Sequence, residues 1–501
     1  MTSNDLTLRR FLQLASGSGA AVLLPGWLAQ AAAAATPVGP NEGVLVLLTL
    51  DGGNDGLNTF VPIADAAYYD ARRHLALRPE LTLPLTSTRG LHPEMPYLKA
   101  VWDQGRLAVV DGVGQPSADL SHFFSADRMM TAGPDGLPGN SGWLGRILDG
   151  LNRQPLNGIA VGSRVPLLLE GRSTRGTAVP VGPDPIRAVN WSDWNAVHRL
   201  DALAALGHTD SGLGPLADQA MAAIGDSLGV ATDLQPHLPG ESADAALVGK
   251  LRLAANLINA DVGVRVVSIV HGDFDTHADQ LVRQAALLRQ LDDGLSVFFT
   301  TLDPGFANQV LVLGTSEFGR RVRANADGSD HGTANSLFAI GAQVNGGFFG
   351  EPPSLTSLDP WGNQHHAVDY RQVYATVATT WLGADAVEIF GADHASLGFL
   401  RPPGQGASSG VRFPGVVAQR RDLQAEVARL YLAYFGRRPD EDGLDYWVRY
   451  REASRSLAQV SEEFAASEEF RLRYGALSNR GFVEQAYLNV LGRSGDPEGV
   501  G

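Results

Sequence analysis

The chain has 501 residues, 44% of them hydrophobic, and contains no cysteine. This length exceeds that of one ordinary domain, so two or three folded units are expected. The formal net charge of -15 argues against nucleic acid and against an anionic membrane surface as partners. Without cysteine the chain has neither disulfides nor thiolate metal sites, which is compatible with an oxidising compartment.

Residues 1–36 have the pattern of an export signal. Arg9 and Arg10 precede a short apolar segment that extends to Leu28, and an alanine-rich cleavage region follows. The paired arginines favour the twin-arginine route, and a Sec signal is the alternative because no residue separates the pair from Phe11. Glycine and proline interrupt the apolar segment, which argues against a membrane anchor. We therefore expect a periplasmic, cell-surface or secreted protein with no stable membrane anchor after signal removal.

Residues 38–400 alternate strand-like apolar runs with helical patterns, which predicts a doubly wound α/β domain with a mostly parallel sheet. The run 44–50 has no polar alternation and is typical of a strand covered on both faces. Residues 191–257 have helical spacing and no clustered ligand types, so we expect a helical insertion there. Further strands are predicted at 106–114, 264–270 and 309–313.

The C-terminal part is predicted to be a separate all-α unit. Residues 401–418 have the composition of a flexible linker, and residues 419–501 form a helical module. Within this module the segment 431–443 recurs at 487–499, which is a small repeat with Gly-Arg-x-x-Asp turns. The second copy is incomplete, so the repeat module is expected to be truncated or unusually capped.

Three predicted strands end in carboxylates. Asp51 follows the first strand in a glycine-rich turn, and the later strands are followed by 273–277 and by Glu317. Ligands of parallel sheets gather at the carboxyl ends of the strands, and a buried carboxylate is costly unless it is paired or bound to metal. The pattern predicts a divalent metal site. The candidate ligands are Asp51, Asp273, Asp275, His277, Glu317, Asp330 and His331.

Ser121 is the candidate nucleophile. It lies at the N-terminus of a predicted helix, 121–130, where free N–H groups and the helix dipole suit a nucleophilic hydroxyl and a bound oxyanion. The alternative is a plain N-cap serine. His122 is expected to point away from Ser121 if the segment is helical, or into the site if the turn is irregular. The pair His365-His366 is expected to be solvent-exposed.

Several motifs in chain order carry a family resemblance. They are Leu50-Asp-Gly-Gly-Asn-Asp-Gly-Leu-Asn58, Ser121-His-Phe123, Gly142-Trp-Leu-Gly-Arg146, Asp275-Thr-His277, Ser316-Glu-Phe-Gly-Arg320, Asp330-His-Gly332 and Asp369-Tyr-Arg371. Residues 5–400 resemble the exported bacterial family called domain of unknown function 1501, which is grouped with the alkaline phosphatase and sulfatase superfamily. The C-terminal module resembles domain of unknown function 4214, a helical module of secreted bacterial proteins.

The resemblance implies an alkaline-phosphatase-like fold that holds one or two divalent metals at the carboxyl edge of the sheet. Asp51 matches the metal-bridging aspartate, and Ser121 matches the nucleophile. Either Asp273 or Asp275 would join His277 at one metal. The sequence departs from the phosphatases at Glu317, where they have an Asp-His pair for the second metal.

The types of donor atom do not decide which divalent metal binds. Histidines suit zinc or manganese, whereas Asp51 and Glu317 suit magnesium or calcium. Asn54, Arg320 and Arg371 are candidates for substrate binding, because they could hold an anionic oxygen.

Two functions follow from these expectations. The first is an exported metal-dependent hydrolase that cleaves small phosphate or sulfate esters by attack of Ser121. The second is a non-catalytic surface or assembly module that keeps the phosphatase-like fold and whose C-terminal helices bind protein.

Overall fold

The computed structural model of the chain describes residues 36–116, 118–133, 139–151, 156–179, 181, 247–261, 263–404, 411–415, 418–452, 456–491 and 494. The predicted export signal up to residue 35 and the predicted helical insertion up to residue 246 lie outside the described residues. The chain divides into two compact units, Met1–Pro414 and Gly415–Gly501.

The first unit is a mixed α/β domain. Its strands in the described residues are β1 (Val44–Leu50), β2 (Phe60–Val61), β3 (Leu83–Pro84), β4 (Gly90–Leu91), β5 (Leu107–Gly114), β6 (Gly158–Val161), β7 (Thr177–Val179), β8 (Val266–His271), β9 (Val310–Thr315), β10 (Gly319–Ala324), β11 (Ser329–Gly332), β12 (Ala334–Gly341), β13 (Gly347–Gly350) and β14 (Val368–Asp369).

Nine of these strands form the central sheet, in the order β13-β5-β12-β9-β1-β8-β6-β7, with β14 paired to β5. The sheet is mostly parallel, and β12 is antiparallel to both of its neighbours, β5 and β9. The four strands predicted from apolar runs correspond to β1, β5, β8 and β9.

The helices of the first unit in the described residues are α1 (Gly56–Thr59), α2 (Ala66–Arg72), α3 (Pro96–Asp103), α4 (His122–Thr131), α5 (Trp143–Gly150), α6 (Leu247–Asn259), α7 (Gln280–Thr301), α8 (Tyr370–Thr380) and α9 (Ala386–Phe390). Helix α6 covers the end of the predicted insertion. None of the helices in the described residues of either unit is long and apolar enough to cross a membrane.

The centre of the sheet is buried on both faces, as the unbroken apolar run of β1 predicts. Leu45 and Leu47 point to one face, in a core cluster with Trp143 of α5 and Tyr374 of α8. The alternate residues of β1, including Val46, are also fully buried. Because successive side chains of a strand point to opposite faces, both faces of β1 are covered by protein.

The ends of three parallel strands are aligned at one edge of the sheet. In the register of β1 and β8, Leu50 lies opposite His271. In the register of β1 and β9, Thr49 lies opposite Thr315. The segments that follow these strands therefore start side by side, as the candidate site requires.

A short hairpin made of β10 and β11 lies outside the central sheet and carries the last candidate ligands. Arg320 pairs with His331 at one end of the hairpin, and Ala324 pairs with Ser329 near its tip. A Cβ atom on Gly328 at the tip would lie 2.3 Å from the carbonyl carbon of His277. Only glycine therefore allows the tip to approach the segment that carries His277.

The second unit contains the helices α10 (Ala418–Phe435), α11 (Glu441–Glu452), α12 (Leu457–Ala466), α13 (Glu468–Tyr474) and α14 (Asn479–Leu491). Its core consists of aromatic and aliphatic side chains that include Tyr431, Tyr434 and Phe464. In the first copy of the repeat, Asp440 accepts the N–H of Gly443 at 2.8 Å, and Arg437 pairs with Glu469 at 2.7 Å. Part of the second copy lies outside the described residues.

Candidate metal centre

Two of the three strand ends are joined by a hydrogen bond that depends on a glycine. The N–H of Gly52 donates to Oε1 of Glu317 at 2.8 Å. Gly52 has a φ of 113°, and a Cβ atom there would lie 2.4 Å from the backbone nitrogen of Asp275. The glycine-rich turn after β1 can therefore approach both of the other strand ends.

His331 presents a lone pair to the carboxylate of Asp275. Its Nδ1 lies 2.8 Å from the carbonyl oxygen of Leu120, which only accepts hydrogen bonds, so Nδ1 carries the proton. In the neutral ring Nε2 then has no hydrogen. This Nε2 lies 3.1 Å from Oδ1 of Asp275 and 2.9 Å from Nε2 of His277.

His277 has the same orientation. Its Nδ1 lies 3.4 Å from Oδ1 of Asp330, and its Nε2 lies 3.1 Å from Oδ1 of Asp275. If Nδ1 carries the proton toward the Asp330 carboxylate, Nε2 again presents a lone pair. Two imidazole lone pairs and a carboxylate oxygen then face one another, and this arrangement needs an added proton or a cation between them.

His122 is the third imidazole of the cluster. Its Nδ1 lies 2.7 Å from Oε1 of the buried Glu317, which fixes the ring. Its Nε2 is buried, has no hydrogen-bond partner among the described residues, and lies 3.5 Å from Oδ2 of Asp275. The ring packs between Phe318 and His331, with ring centroids 4.8 Å and 4.4 Å away.

Asp275 lies at the centre and is held by Arg320. The fully buried guanidinium of Arg320 donates to Oδ1 of Asp275 at 2.7 Å and to the carbonyl oxygens of Gly53 and Ser329. Desolvation acts to raise the pKa of Asp275, but the hydrogen bond and the positive charge of Arg320 oppose it, and the pKa is lowered to about 2. The carboxylate is therefore ionised across the physiological range.

The two histidines that flank Asp275 from α4 and β11 differ in their pKa values. Desolvation lowers the pKa of His331, which keeps it neutral near pH 7. The hydrogen bond to Glu317 raises the pKa of His122. A neutral His331 is the form that a metal ligand requires, because only an unprotonated nitrogen binds metal.

The donor set fits a divalent metal. Ligand atoms of His122, Asp275 and His331 all lie within 4.8 Å of one another. His277 adds a fourth donor at the distances given above. The Nδ1 of each histidine faces an oxygen, as is usual for metal-binding imidazoles. Three imidazoles and one carboxylate suit zinc or manganese better than magnesium or calcium.

Of the seven predicted metal ligands, three lie in this first set, namely Asp275, His277 and His331. Glu317 and Asp330 lie behind the imidazoles of His122 and His277 as hydrogen-bonding or charge partners. Their place is that of residues that orient ligands rather than ligands themselves.

Asp51 and Asp273 border the cluster. Asp51 is an exposed residue. Partial desolvation of its carboxyl group is the largest cause that raises its pKa, and the negative charges of Glu317 and Asp273 act in the same direction. The charge of His122 acts in the opposite direction. Asp273 has a left-handed φ of 73°, and its carbonyl oxygen accepts from Arg283. Neither aspartate has a described contact with the three imidazoles.

Ser121 is the N-cap residue of α4 and is exposed. Its hydroxyl makes no capping hydrogen bond, so the plain capping role does not apply to the side chain. The residues on either side, Leu120 and His122, both contact the cluster. The backbone therefore places Ser121 at the border of this cluster.

The predicted substrate-binding roles of Arg320, Arg371 and Asn54 are not supported by the geometry. Arg320 is buried and bound to backbone carbonyls and Asp275, so it positions a ligand. Arg371 makes a 2.6 Å ion pair with Asp369, two residues away. Asn54 is buried, and its side-chain amide donates to the hydroxyl of Thr59 at 3.1 Å.

His122 is the member of the cluster that the sequence reasoning missed. We expected it to point away from Ser121 if the segment were helical. Ser121 instead has extended backbone, with φ -79° and ψ 126°, and the helix begins at His122. His122 therefore lies in the first turn of α4 and reaches Glu317 and Asp275, and the adjacency of Ser121 and His122 was the available signal.

The chain belongs to the family described as Protein of unknown function (DUF1501), whose model matches residues 108–391. Residues 461–501 match the Domain of unknown function (DUF4214). Both resemblances stated from the motifs are thereby confirmed. No curated protein matches the chain. A solved structure that matches is the "Structure of PH0037 protein from Pyrococcus horikoshii", with 13% identity over 60% of this chain and 88% of that chain and a TM-score of 0.25.

Proposed function

We propose that this protein is an exported, metal-dependent hydrolase of phosphate or sulfate esters with an alkaline-phosphatase-like fold. The observation that carries the proposal is the convergence of three imidazoles on one carboxylate. Because no hydrogen is available between His331 Nε2 and Asp275 Oδ1 in their neutral and ionised forms, a divalent cation would complete the arrangement. The location of the cluster at the carboxyl edge of a mostly parallel sheet supports the phosphatase-like assignment.

The chain's own residues would divide the work of the reaction. Glu317, Asp330 and the Leu120 carbonyl hold the imidazoles in one tautomer, and Arg320 holds Asp275 ionised. The hydroxyl of Ser121 would attack phosphorus or sulfur and release the alcohol, and water would then cleave the seryl ester. A divalent cation bound here would stabilise the negative charge that develops on the ester oxygens.

One feature favours a non-catalytic role, namely the burial of Arg320. The sequence places Arg320 where it could bind an anionic substrate, but the structure buries it fully among backbone carbonyls. A surface or assembly module would keep a structural metal without needing a cation for substrate. The second unit would then provide the contacts to a partner protein.

The first test is metal content. Mass spectrometry of the purified chain should give close to one zinc or manganese ion per molecule, and the double variant His277→Ala, His331→Ala should lose it. Thermal unfolding should show metal-dependent stability of about 2.7 kcal/mol at a free metal concentration about 100 times the Kd. The variant His365→Ala is the matched control, because His365 is exposed and outside the cluster.

The second test separates the two functions. With metal present, p-nitrophenyl phosphate and p-nitrophenyl sulfate are offered to the native chain and to Ser121→Ala. Loss of hydrolysis with retained metal in the variant would support the hydrolase. Full metal with no hydrolysis would favour the module, and a native chain that binds neither zinc nor manganese would remove the metal centre altogether.

A further inference from the structure

We propose that a groove beside helix α2 binds an organic anion. The groove has a volume of about 690 Å³ and lies between the end of α2 and the β10–β11 hairpin. One wall is formed by Arg73 and His74, which follow α2, and the other by Arg323 on β10. These residues are not part of the metal centre, and the inference does not depend on the proposed hydrolysis.

The groove carries positive charge that the protein leaves unpaired. Arg73, His74 and Arg323 are exposed, and their side chains make no ion pair or hydrogen bond with any described residue. Asp70 is the acidic side chain that lines the groove. The lining charge is therefore positive even with His74 neutral, on a chain whose formal net charge is -15. Such a local reversal of sign attracts anions.

The rest of the lining is mostly apolar. Val322 on β10 and Leu355 are buried residues that line the groove. Small apolar side chains of α2 and of the hairpin complete it, including Ala67, Ala71 and Ala324. A groove of this size, with apolar walls and a few charged groups, has the character of a small-molecule site. The ligand it suits has an apolar carbon body and a sulfate, sulfonate, phosphate or carboxylate group.

The backbone at Arg73 supports a binding role. Arg73 has φ 46° and ψ -109°, a conformation that is unfavourable for any residue with a side chain. The preceding residue, Arg72, is fully buried in an ion pair with Asp55, which fixes where the turn begins. Glycine would adopt this turn more easily, yet the position holds an arginine that faces the groove. Strain of this kind occurs at ligand sites more often than elsewhere.

The groove lies close to the metal centre without sharing its ligands. Asn325 at the hairpin tip lines the groove, and its Nδ2 lies 3.3 Å from Oδ1 of Asp330. The same Oδ1 faces Nδ1 of His277 at 3.4 Å. The two sites are therefore neighbours through one carboxylate, and a test must show that an anion binds at the arginines rather than at the metal ligands.

The test uses a pair of fluorescent probes that differ in charge. The anion 8-anilinonaphthalene-1-sulfonate has an aromatic body and a sulfonate, whereas N-phenyl-1-naphthylamine has the same body without charge. Both are titrated into the full chain after treatment with a chelator. We expect the double variant Arg73→Gln, Arg323→Gln to bind the sulfonate about tenfold more weakly, because each arginine loses a charge-assisted contact. Binding of the neutral probe should be unchanged.

Two controls locate the effect. Arg78→Gln removes an exposed arginine outside the groove and should leave both affinities unchanged. The metal-ligand variant His331→Ala should also bind the sulfonate as the native chain does. Unchanged sulfonate affinity in the double variant, or loss of affinity only in His331→Ala, would overturn the proposal.

The variant Arg73→Gly distinguishes binding from a structural role of the turn. Glycine relieves the strained backbone, so the melting temperature should rise, while sulfonate affinity should fall because the charge is lost. A fall in both the melting temperature and the sulfonate affinity would mean that Arg73 stabilises the fold. The strained backbone and Arg73 would then no longer support the proposal.

Discussion

Two carboxylates follow the strands of the same sheet, and their surroundings are opposite. Asp55, after β1, is buried and accepts hydrogen bonds from Arg72, from Gln280 and from the backbone N–H of Leu57. Asp275, after β8, accepts from Arg320 but also faces Nε2 of His331, which in the neutral ring has no hydrogen to donate. Asp55 is therefore satisfied by the protein, whereas Oδ1 of Asp275 faces a lone pair of His331 with no hydrogen between the two atoms. This difference separates a structural carboxylate from a candidate metal ligand more clearly than sequence position does.

The largest expected effect comes from breaking the buried ion pair between Arg72 and Asp55. Arg72→Met leaves the Asp55 carboxylate buried and unpaired, and it also removes the hydrogen bond from Arg72 Nη2 to the carbonyl oxygen of Arg321 at 2.8 Å. Loss of one partner of a buried pair costs about 3–5 kcal/mol in the free energy of unfolding. Urea denaturation measures this loss.

Lys99→Met is the matched control for Arg72→Met. Lys99 pairs with Asp103 at 2.6 Å on α3, but Asp103 is 56% exposed. An exposed pair contributes at most about 1 kcal/mol. If both variants lost the same stability, Asp55 would not be the buried, protein-satisfied carboxylate that the comparison requires.

A second prediction concerns how the free energy of unfolding depends on pH through His92, which lies near Asp55. Burial lowers the pKa of His92 to about 4, and the nearby Asp55 acts in the opposite direction. Nδ1 of His92 accepts the N–H of Glu94 at 3.2 Å, which requires the neutral ring. Since the unfolded chain binds a proton at about 6.5, the unfolded state takes up more protons than the folded state below that pH. Stability is therefore complete above about pH 6.5 and falls as the pH decreases toward 4.

The variant His92→Gln should flatten this dependence. The part of the stability loss due to His92 is about 2 kcal/mol at pH 5 relative to pH 8, and the variant should lack that part. Denaturation at several pH values measures it, with His365→Gln as the exposed control. A native chain and a variant with parallel pH profiles would show that His92 titrates normally.

The sequence was sufficient for the strands and for much of the site, and insufficient for the roles of individual side chains. Unbroken apolar runs predict β1, β5, β8 and β9 because burial on both faces leaves no polar positions. The positions of Asp275 and His277 follow from the end of such a strand, whereas His331 lies on the β10–β11 hairpin. What the sequence could not show is which donors and acceptors are already used.

Arg320 and Glu317 illustrate this limit. Both follow β9 in the chain. The sequence predicted Glu317 as a metal ligand and Arg320 as a substrate-binding residue. In the structure Arg320 donates hydrogen bonds to backbone carbonyls and to Asp275. Glu317 accepts the N–H of Gly52 and contacts Nδ1 of His122. His122 was missed because its orientation depends on where the helix begins, and a shift of one residue turns a side chain by about 100°.

The smallest predicted effect distinguishes the two carboxylates that orient imidazoles. Glu317 is 3% exposed and lies 2.7 Å from Nδ1 of His122, whereas the side chain of Asp330 is 49% exposed and 3.4 Å from Nδ1 of His277. Glu317→Gln should therefore weaken metal binding about tenfold, or about 1.4 kcal/mol, because a buried carboxylate raises the basicity of its imidazole. Asp330→Asn should weaken it less, since solvent screens the exposed carboxylate. Competition with a fluorescent zinc chelator measures both constants. The reverse order would place the principal ligand at His277, on the exposed side, and would move the centre of the site away from His122.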